Sequence, residues 1–362
     1  MEILRLRRRF GLMNRCNEFT KVNNIQSDYD LTDKLTFHVP AKSKLYVRVN
    51  SDDELLEALT LAKDKNLEIL ILGGGSNMLF HCNFEGLVIQ IGHTGIKTIS
   101  DDGRRVTVVV GAGEDWHDFV MFSLDKNYGG IENLSLIPGC VGASPMQNIG
   151  AYGVEIKKVL NWVEAIEIVT GNLRRFSTEE CELGYRESVF KAREKNKWVI
   201  VRVAFNLDRE SELVTSYGAL LSELREIPKK KRTHRDVSDA VIRIRKSKLP
   251  DPNVLGNAGS FFKNPIISAS GFNELQAVHP DIPNYPQENG DVKLAAGWLI
   301  DKAGWRGHDR GTHGVHELQA LVLVNKGGAS GKEVWTLAKE IMASVEEKFG
   351  VRLHPEVNQI GL

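Results

Sequence analysis

Residues 137–156 constrain this chain more than any other part of its 362 residues. The segment contains four glycines and two prolines, with Ser144, Gln147, Asn148 and Tyr152 between them. Its apolar residues follow neither the i, i+3, i+4 spacing of a helix nor the alternation of a strand. We therefore predict a loop held by a rigid scaffold, in which glycines let backbone N–H groups approach a ligand closely. The alternative is a buried structural crossover.

A second glycine loop follows a predicted buried strand. Residues 67–72 form a short apolar run, and 73–77 read Gly-Gly-Gly-Ser-Asn. A strand that ends in a glycine loop is a common receptor for a diphosphate. The chain has no G-K-[ST] motif, and in the best candidate for the dinucleotide motif G-x-G-x-x-G, 111–116, Trp116 stands at the third glycine. The two loops therefore predict a nucleotide-type ligand on a fold other than a Rossmann fold.

Bulk composition is that of an ordinary globular protein, with 42% hydrophobic and 26% charged residues. The length exceeds what one hydrophobic core usually supports, so we expect two or three domains. The 47 basic and 47 acidic residues balance, which gives no global attraction to nucleic acid or to a membrane. No apolar run approaches the roughly 20 residues that span a bilayer. The cysteines lack zinc-ligand spacing, so thiols in the cytoplasm are expected, and Cys140 is predicted to be buried and inert rather than reactive.

Hydrophobic periodicity predicts a mixed α/β chain. Ser51 begins a helix with a capping pattern, and residues 163–176 form a hairpin. The capping pattern Ser-Thr-Glu-Glu at 177–180 predicts a short helix. A final helix is expected from Ser330 to about Phe349.

The most strongly charged stretch, residues 229–248, has two interpretations. Its lysines and arginines are compatible with a nucleic-acid patch. We favour the solvated face of a linking helix, because the rest of the chain is neutral and an apolar stripe runs from Val237 to Ile244. A short strand at 242–245 is a further alternative. Pro250 and the residues after it indicate a boundary.

The last third of the chain carries a third glycine-rich segment, 256–265, which contains Ser260 and Lys263. Residues 293–301 are predicted to form a buried helix. The histidines within 308–316 lack the H-x-x-x-H spacing of a helical metal site, so no metal is predicted. The chain also lacks the G-x-S-x-G elbow of a hydrolase serine.

Seven sequence blocks are specific when they are taken together. They are LGGGSNMLF (72–80), IPGCVGASPMQNIGAYGVE (137–155), GYRESVFK (184–191), KLPDP (248–252), GNAGSFFKNP (256–265), LAAGWLID (294–301) and HPEVNQIG (354–361). In this order they resemble the UDP-N-acetylenolpyruvoylglucosamine reductase family of bacterial peptidoglycan precursor synthesis. The resemblance runs from about residue 35 to the end. The block Gly150–Gly153 and the segment around Tyr217 are similar to the subtype with an extra tyrosine-bearing loop.

The resemblance implies an α/β (α+β) fold: a two-subdomain FAD-binding module of the vanillyl-alcohol-oxidase type plus a C-terminal α/β substrate-binding domain. It implies an N-terminal extension at 1–21, a first FAD-binding subdomain at 22–96 joined by 351–362, a second at 97–237, and a substrate-binding domain at 248–350. FAD would be bound non-covalently by the glycine loops. The cofactor-binding residues implied are Gly73, Gly74, Gly75, Ser76, Asn77, Pro138, Gly139, Gly142, Ala143, Ser144, Gln147, Asn148, Gly150, Ala151 and Gly153.

The resemblance also implies two hydride transfers, from NADPH to FAD and then to the vinyl carbon of UDP-N-acetylglucosamine enolpyruvate, which gives UDP-N-acetylmuramate. The enolate-like intermediate needs fixed positive or hydrogen-bonding groups. Arg186 can clamp a carboxylate with its planar fork, and Glu356 would act beside it, in a protonated or shared-proton form, to stabilise the enol. Ser260 matches the family's general acid, with Lys263 as an assistant. The alternative for Ser260 is a turn serine bonded to its own backbone.

Five further residues match the family's contacts to the nucleotide-sugar. Lys248 suits a diphosphate as a point charge. Tyr217 would close over the substrate as a lid, and Tyr152 would lie near the entrance. Asn264 and Gln319 complete the set.

The sequence departs from the family pattern at three places. Leu35 stands where the family usually has Asn before Thr-Phe. The first 20 residues match nothing in the family, and 303–316 is more polar and richer in histidine than expected.

The leading prediction is therefore a cytoplasmic, monomeric, NADPH-dependent flavin reductase with no nucleic-acid or membrane partner. A flavin oxidase of the same FAD-binding fold is an alternative. Such oxidases often tether FAD through His or Cys, for which the glycine loops offer Cys140, and they do not need Ser260, Arg186 and Glu356 together. A nucleotide-sugar or nucleic-acid binding protein without catalysis is the other alternative, and it predicts no bound flavin.

Overall fold

The computed structural model describes residues 24–362, and the extension predicted at 1–21 lies outside the described residues. The described chain begins with a four-stranded sheet, one helix and a short strand that follows the 73–77 loop. These elements are β1 (Gln26–Asp30), β2 (Lys42–Val49), α1 (Asp52–Asp64), β3 (Ile69–Leu72), β4 (Met78–Phe80) and β5 (Phe84–Ile91).

The first sheet has the strand order β1-β2-β5-β3. β1 is antiparallel to β2, and the other neighbours are parallel. The helix predicted from Ser51 is confirmed as α1. The Ser51 hydroxyl accepts a hydrogen bond from the Glu54 N–H at 3.2 Å, and the Glu54 carboxylate accepts one from the Asn50 N–H at 2.6 Å. The apolar face of α1, with Leu55 and Leu59, is buried.

The second unit is built on a five-stranded antiparallel sheet with the order β11-β10-β12-β7-β6. The predicted hairpin at 163–176 is confirmed as β10 and β11. Trp116, the residue that breaks the dinucleotide motif, is buried and donates its ring N–H to the Leu134 carbonyl at 2.8 Å. The elements are β6 (Ile96–Asp101), β7 (Arg105–Gly111), α2 (Trp116–Asp125), β8 (Gly150–Ala151), β9 (Val154–Glu155), β10 (Leu160–Glu167), β11 (Leu173–Ser177) and β12 (Trp198–Asp208).

The helix predicted from the capping pattern at 177–180 is wrong. The capping hydrogen bonds do form, since the Ser177 N–H donates to the Glu180 carboxylate at 2.9 Å. The chain then turns, because Glu182 takes a left-handed φ of 47° and the Val189 N–H bonds the Cys181 carbonyl at 2.8 Å. Burial of Cys181 and Val189 therefore prevails over the local helix signal.

Two helices join this unit to the last one. They are α3 (Gly218–Glu223) and α4 (His234–Lys248), and a single 3₁₀ turn, Lys229–Lys231, lies between them. Residues 242–245 are helical, so the strand alternative is wrong. The stripe from Val237 to Ile244 is buried against α3. The predicted break after Lys248 is also found, since α4 ends there.

The last unit contains two three-stranded antiparallel sheets, β13-β18-β17 and β14-β16-β15. The helix predicted at 293–301 is correct only from Ala296 onward, because Lys293 and Leu294 pair in a strand. The final helix from Ser330 is confirmed, with both capping-box hydrogen bonds present. The elements are β13 (Gly256–Ser260), β14 (Ile266–Ile267), α5 (Ala269–Val278), β15 (Asn284–Pro286), β16 (Val292–Leu294), α6 (Ala296–Lys302), β17 (His313–Val315), β18 (Val322–Asn325), α7 (Gly331–Phe349) and β19 (Asn358–Ile360).

The chain end returns to the first unit, where β19 pairs in parallel with β4. One large buried core joins α1 and the first sheet to the second sheet and α2. A separate core fills the last unit around α6 and α7. The C-terminal return therefore carries residues 354–361 toward the glycine loop that precedes β4.

Candidate active site

The two glycine loops predicted to bind a nucleotide lie against each other. The Ser76 hydroxyl donates to the Pro138 carbonyl at 3.2 Å. A Cβ placed on Gly74 would lie 3.0 Å from the Gly139 Cα, so only glycines allow this approach. The loops therefore form one surface, contributed by the end of β3 and by the segment after α2.

This surface fits a cofactor that contains a diphosphate. The main-chain N–H groups of Gly74, Gly75 and Ser76 donate no hydrogen bond to any residue within 24–362. The Ser144 hydroxyl is buried and has no partner in the same part of the chain. Buried polar groups are nearly always paired, and backbone N–H groups in glycine loops pair well with phosphate oxygens. The residues present therefore suit FAD laid across both loops.

Two residues of the predicted cofactor set are already engaged within the protein. The Asn148 amide donates to the Glu155 carboxylate at 2.9 Å and to the Gly184 carbonyl at 3.0 Å. A Cβ on Gly142 would lie 2.6 Å from the Ala112 Cβ, so this glycine permits close packing. The other predicted members lie on the same two loops or on the β8–β9 hairpin: Gly73, Asn77, Pro138, Gly139, Ala143, Gln147, Gly150, Ala151 and Gly153.

Cys140 belongs to the second glycine loop and is half-buried. Its side chain faces the first loop, since a Cβ placed on Gly73 would lie 3.8 Å from the Cys140 Cβ. Burial, with Asp115 as a lesser cause, raises the pKa of the Cys140 thiol to about 11. A thiol with so high a pKa carries little thiolate at neutral pH, which agrees with the prediction of an inert cysteine.

Arg186 lies in a tight turn after β11. Gly184 and Glu187 pair across this turn, and Arg186 takes a φ of 57°. Its Nε donates to the Glu356 Oε1 at 2.8 Å, and its Nη2 donates to the Gly150 carbonyl at 3.2 Å. The two charged side chains are only 20% and 11% exposed. The structure thus brings two predicted catalytic residues into direct contact, 170 residues apart in the chain.

Ser260 is the last residue of β13, and its side chain is exposed. The carbonyl of the next residue, Phe261, accepts a hydrogen bond from the Glu356 N–H at 2.8 Å. Phe262 pairs with Pro355 in an isolated β-bridge. The segment that carries Ser260 therefore runs alongside the segment that carries Glu356. The Ser260 hydroxyl makes no hydrogen bond within residues 24–362, so it is not engaged by its own backbone.

Lys263 connects the Ser260 segment to the Arg186 turn. Its Nζ lies 2.6 Å from the Glu187 carboxylate, one residue after Arg186. Its backbone N–H donates to the His354 carbonyl at 2.9 Å. The predicted assistant of Ser260 is therefore directed toward the turn in the free protein.

The two tyrosines predicted near the substrate entrance contact each other. The Tyr152 and Tyr217 ring centroids lie 5.3 Å apart with nearly perpendicular planes. Tyr217 directly precedes α3, is 44% exposed and lies near Tyr285 of the last unit. Behind them, the Arg245 side chain lies near Tyr152, and burial lowers the pKa of Arg245. Three units therefore meet at Tyr217.

The three other residues predicted to bind substrate lie at the ends of elements. Lys248 is the exposed last residue of α4. The Asn264 Oδ1 accepts the Ala296 N–H at 3.0 Å and so caps α6. The Gln319 Oε1 accepts the Leu321 N–H at 3.4 Å.

The structure adds two residues that the sequence analysis did not single out. The Lys191 ammonium lies 3.4 Å from the Arg186 carbonyl. The Lys293 ammonium lies 4.4 Å from the Tyr185 ring centroid, and burial lowers the pKa of Lys293. Lys191 stands in the same block, GYRESVFK, as Arg186, which was the available sequence signal.

Two protein families match separate parts of the chain. Residues 43–177 match the family described as an FAD binding domain. Residues 251–360 match the C-terminal domain of UDP-N-acetylenolpyruvoylglucosamine reductase. The fold class expected from the sequence, an FAD-binding α/β module with a C-terminal α/β domain, is thereby confirmed.

Curated relatives and one solved structure extend this match over most of the chain. The UDP-N-acetylenolpyruvoylglucosamine reductase of Pseudomonas fluorescens is 48% identical over 335 residues, which cover 92% of this chain and 98% of the relative. That of Flavobacterium johnsoniae is 46% identical, covering 93% and 99%. The crystal structure of the Thermus caldophilus reductase aligns with a TM-score of 0.64 at 23% identity, covering 93% of this chain and 98% of that one.

Residues 24–362 show neither a metal-ligand cluster nor a membrane-spanning helix. No group of three or more His, Cys, Asp and Glu side chains is placed to hold a metal ion there. None of the helices in that range is both long and apolar enough to cross a membrane.

Proposed function

The chain belongs to the UDP-N-acetylenolpyruvoylglucosamine reductase family, and we propose that it reduces UDP-N-acetylglucosamine enolpyruvate to UDP-N-acetylmuramate with NADPH as the electron donor. It is an FAD-dependent oxidoreductase of peptidoglycan precursor synthesis. The observation that carries the proposal is the 2.8 Å contact of Arg186 with Glu356, beside the segment that ends in Ser260. Bound FAD supplies hydride transfer, from NADPH to the vinyl carbon of the substrate.

Arg186 stabilises the charge that develops on the substrate carboxylate as hydride arrives. Its guanidinium is largely buried, so its field is screened less than that of an exposed arginine. One edge of the fork contacts Glu356, and Nη2 contacts the Gly150 carbonyl. Glu356 beside it stabilises the enol form of the intermediate. The pair is preorganised, because it is already formed without substrate.

Ser260 donates the proton that completes the reaction. Its exposed hydroxyl is free to take a substrate as partner. Serine is a weak acid in water, but an enolate carbon is strongly basic and needs only a positioned donor. Lys263, held by Glu187, supports the developing alkoxide through its charge.

The nucleotide-sugar is bound between the units. We assign the FAD-binding subdomains to 22–96 with 351–362 and to 97–237, and the substrate-binding domain to 248–350. Lys248 binds the diphosphate as a point charge, Asn264 and Gln319 supply amide contacts, and Tyr217 with Tyr152 closes over the substrate. The contact of Tyr152 with Tyr217 supports a lid of the subtype with the extra tyrosine-bearing loop. The enzyme acts as a cytoplasmic monomer.

A visible spectrum of the purified protein tests this proposal. We expect a flavin spectrum that bleaches when NADPH is added anaerobically and recovers when UDP-N-acetylglucosamine enolpyruvate follows. A flavin spectrum that recovers only after oxygen is admitted would contradict the proposal and indicate a flavin oxidase. A colourless protein that binds no added FAD would contradict any flavoenzyme.

A further inference from the structure

Five polar contacts form a closed ring around the candidate site. Arg186 Nε contacts Glu356 Oε1 at 2.8 Å, and the Glu356 carbonyl accepts from Asn77 Nδ2 at 3.3 Å. The same Asn77 amide donates to Gln147 Oε1 at 3.2 Å. Lys191 Nζ then contacts Gln147 Oε1 at 3.5 Å and the Arg186 carbonyl at 3.4 Å. The ring thus links both glycine loops, the Arg186 turn and the C-terminal segment.

The electrostatic attraction between the Lys191 ammonium and the two oxygens stabilises the ring more than its long hydrogen bonds do. Its two contacts are the longest of the five, at the outer limit for a hydrogen bond. An ammonium attracts carbonyl oxygens at such distances when water is partly excluded, and Lys191 is half-buried. Removing the charge would leave the Arg186 carbonyl without this cation and would leave Gln147 Oε1 with Asn77 as its donor.

The Arg186 backbone needs this support. A φ of 57° is disfavoured for a side chain with a Cβ, so the turn persists only where its surroundings determine it. The Lys191 ammonium holds the carbonyl of that residue, and the Lys263–Glu187 ion pair holds the next residue. The direction of the guanidinium depends on the same turn.

We propose that Lys191 is a positioning residue, whose ammonium holds the Arg186 carbonyl and the Gln147 amide oxygen together and thereby keeps the Arg186 guanidinium on the Glu356 carboxylate. The inference rests on the proposed function, because its effect is on the substrate half-reaction. Lys191 acts through Arg186 and Gln147, which it contacts, and not on the reacting atoms. A neutral or misplaced side chain at 191 lets the turn relax, and the transition-state contact of Arg186 is lost.

Stopped-flow measurement of the two half-reactions tests the proposal. In Lys191→Met we expect reoxidation of the reduced flavin by UDP-N-acetylglucosamine enolpyruvate to slow by about 10- to 100-fold, as for a small misplacement of a catalytic group. Reduction by NADPH and the FAD-to-protein ratio should stay near wild type. Lys191→Arg, which keeps the charge, should restore part of the rate. Lys195→Met, an exposed lysine four residues along, is the matched control and should change nothing.

The pH profile separates a positioning charge from mere packing. Burial, the largest cause, and the nearby Lys263 lower the pKa of Lys191, while Glu356 and Glu187 oppose the shift and Arg186 adds to it. The substrate half-reaction of the wild type should therefore decline as alkaline pH deprotonates Lys191. In Lys191→Arg the decline should move to higher pH, because an arginine keeps its proton.

Several outcomes would overturn the inference while leaving the proposed function intact. One is a Lys191→Met enzyme in which both half-reactions proceed at the wild-type rate. Another is a Lys191→Met enzyme in which both half-reactions slow by the same factor. A third is a Lys191→Arg enzyme whose substrate half-reaction declines at the same alkaline pH as that of the wild type. This result would contradict the inference even if Lys191→Met failed to fold. A wild-type flavin that recovers only with oxygen would instead remove the proposed function itself.

Discussion

Arg186 is held in a conformation that its own backbone disfavours. A non-glycine residue in the left-handed region costs on the order of 1–3 kcal/mol when the surroundings force it. Here the turn directs the guanidinium to Glu356 at 2.8 Å and to the Gly150 carbonyl at 3.2 Å. Relaxing the turn would release the strain but lose both contacts. The strain is thus located where the proposed chemistry needs a fixed positive charge.

Replacing Ser260 by alanine tests the proposed proton donor. Ser260→Ala should leave flavin reduction by NADPH near normal, because that step needs no proton on the substrate carbon. Flavin reoxidation by UDP-N-acetylglucosamine enolpyruvate should slow by at least about 10²-fold, the usual effect of losing a general acid. Rapid-mixing absorbance of the flavin measures both steps.

The matched control for Ser260→Ala is Ser100→Ala. Ser100 is also an exposed serine on a strand, but it lies on β6, in the second unit. Its removal should alter neither half-reaction. If Ser260→Ala slowed both half-reactions equally, Ser260 would have a structural role and the assignment as proton donor would be lost.

Sequence reasoning singled out Arg186, Glu356 and Ser260 through family blocks, and the resemblance placed Glu356 beside Arg186. It did not give the atoms that meet, Arg186 Nε and Glu356 Oε1, or the contact of Arg186 with the Gly150 carbonyl. The Lys191 contact with the Arg186 carbonyl was equally hidden, because it depends on the fold of a turn that local propensity does not encode. Such contacts are set by tertiary packing.

At the scale of elements, residues 177–182 show why a strong local signal failed. Ser177 and Glu180 form the reciprocal hydrogen bonds of a helix start. The chain nevertheless turns back at Glu182, because Cys181 and Val189 are both fully buried. By contrast, α1 and α7 were predicted correctly, since their capping residues begin long amphipathic stretches whose apolar faces are buried. In each case the burial of apolar side chains decided whether a helix formed. The sequence gives only the pattern of apolar residues and not which of them are buried.

The start of α1 is tied to the second sheet by a charged cluster. Asp52, the first residue of α1, accepts two hydrogen bonds from Arg202 of β12, at 3.0 and 2.9 Å. His93, after β5, is buried and contacts the same carboxylate at 3.2 Å. Burial lowers the pKa of His93 despite the opposing attraction of Asp52. Two units of the FAD-binding module therefore share one histidine that resists protonation.

Stability of the module should fall on mild acidification because of His93. The folded pKa lies below the ordinary value of 6.5, so above pH 6.5 His93 is neutral in both states and its contribution is fully present. As the pH falls from about 6.5 through the folded pKa, the unfolded chain binds the proton more readily, and stability is lost. We expect the free energy of urea unfolding to fall from pH 8 to pH 5.5 less steeply in His93→Gln than in the wild type.

The difference in pH dependence between the wild type and His93→Gln reports on His93 alone. Three further histidines with lowered pKa values contribute the same sign in both proteins and cancel in the difference between them. Equal slopes in wild type and His93→Gln would show that the buried histidine does not couple stability to pH. The three histidines are His117, His313 and His316.

At the scale of the whole molecule, residues 35–39 fasten the last unit to the first. The Thr36 N–H donates to the Gly75 carbonyl of the glycine loop at 3.2 Å, and the Thr36 hydroxyl donates to the Asn257 carbonyl at 2.7 Å. Phe37 and Val39 are buried in the core of the last unit. Leu35, the departure from the family pattern, is buried in a small core of the first unit. One short segment therefore links the proposed FAD surface to the proposed substrate-binding domain.

Asn325, the last residue of β18, joins this segment to the last unit. Its side-chain NH₂ donates to the Phe37 and His38 carbonyls at 3.0 and 2.9 Å, and its Oδ1 accepts the Gly327 and Ala329 N–H groups at 2.9 and 3.3 Å. The side chain is 3% exposed, so water cannot replace these partners. Asn325→Ala should therefore lower the free energy of unfolding by about 2–4 kcal/mol in urea titrations, since buried groups lose their partners.

The matched control for Asn325→Ala is Asn289→Ala, which removes the same group from an exposed turn. Within residues 24–362 its side chain bonds only Asp291: its NH₂ donates to the carboxylate at 2.8 Å, and its Oδ1 accepts the Asp291 N–H at 3.1 Å. We expect a change within about 0.5 kcal/mol. If Asn325→Ala proved equally mild, the carbonyls of Phe37 and His38 would have to find other partners in the folded protein, and the Asn325 hydrogen bonds would not be what fastens segment 35–39 to the last unit. A large loss confined to Asn325→Ala would instead support the two hydrogen bonds to the Phe37 and His38 carbonyls as a main attachment of segment 35–39 to the last unit, because no other side chain within residues 24–362 bonds both carbonyls.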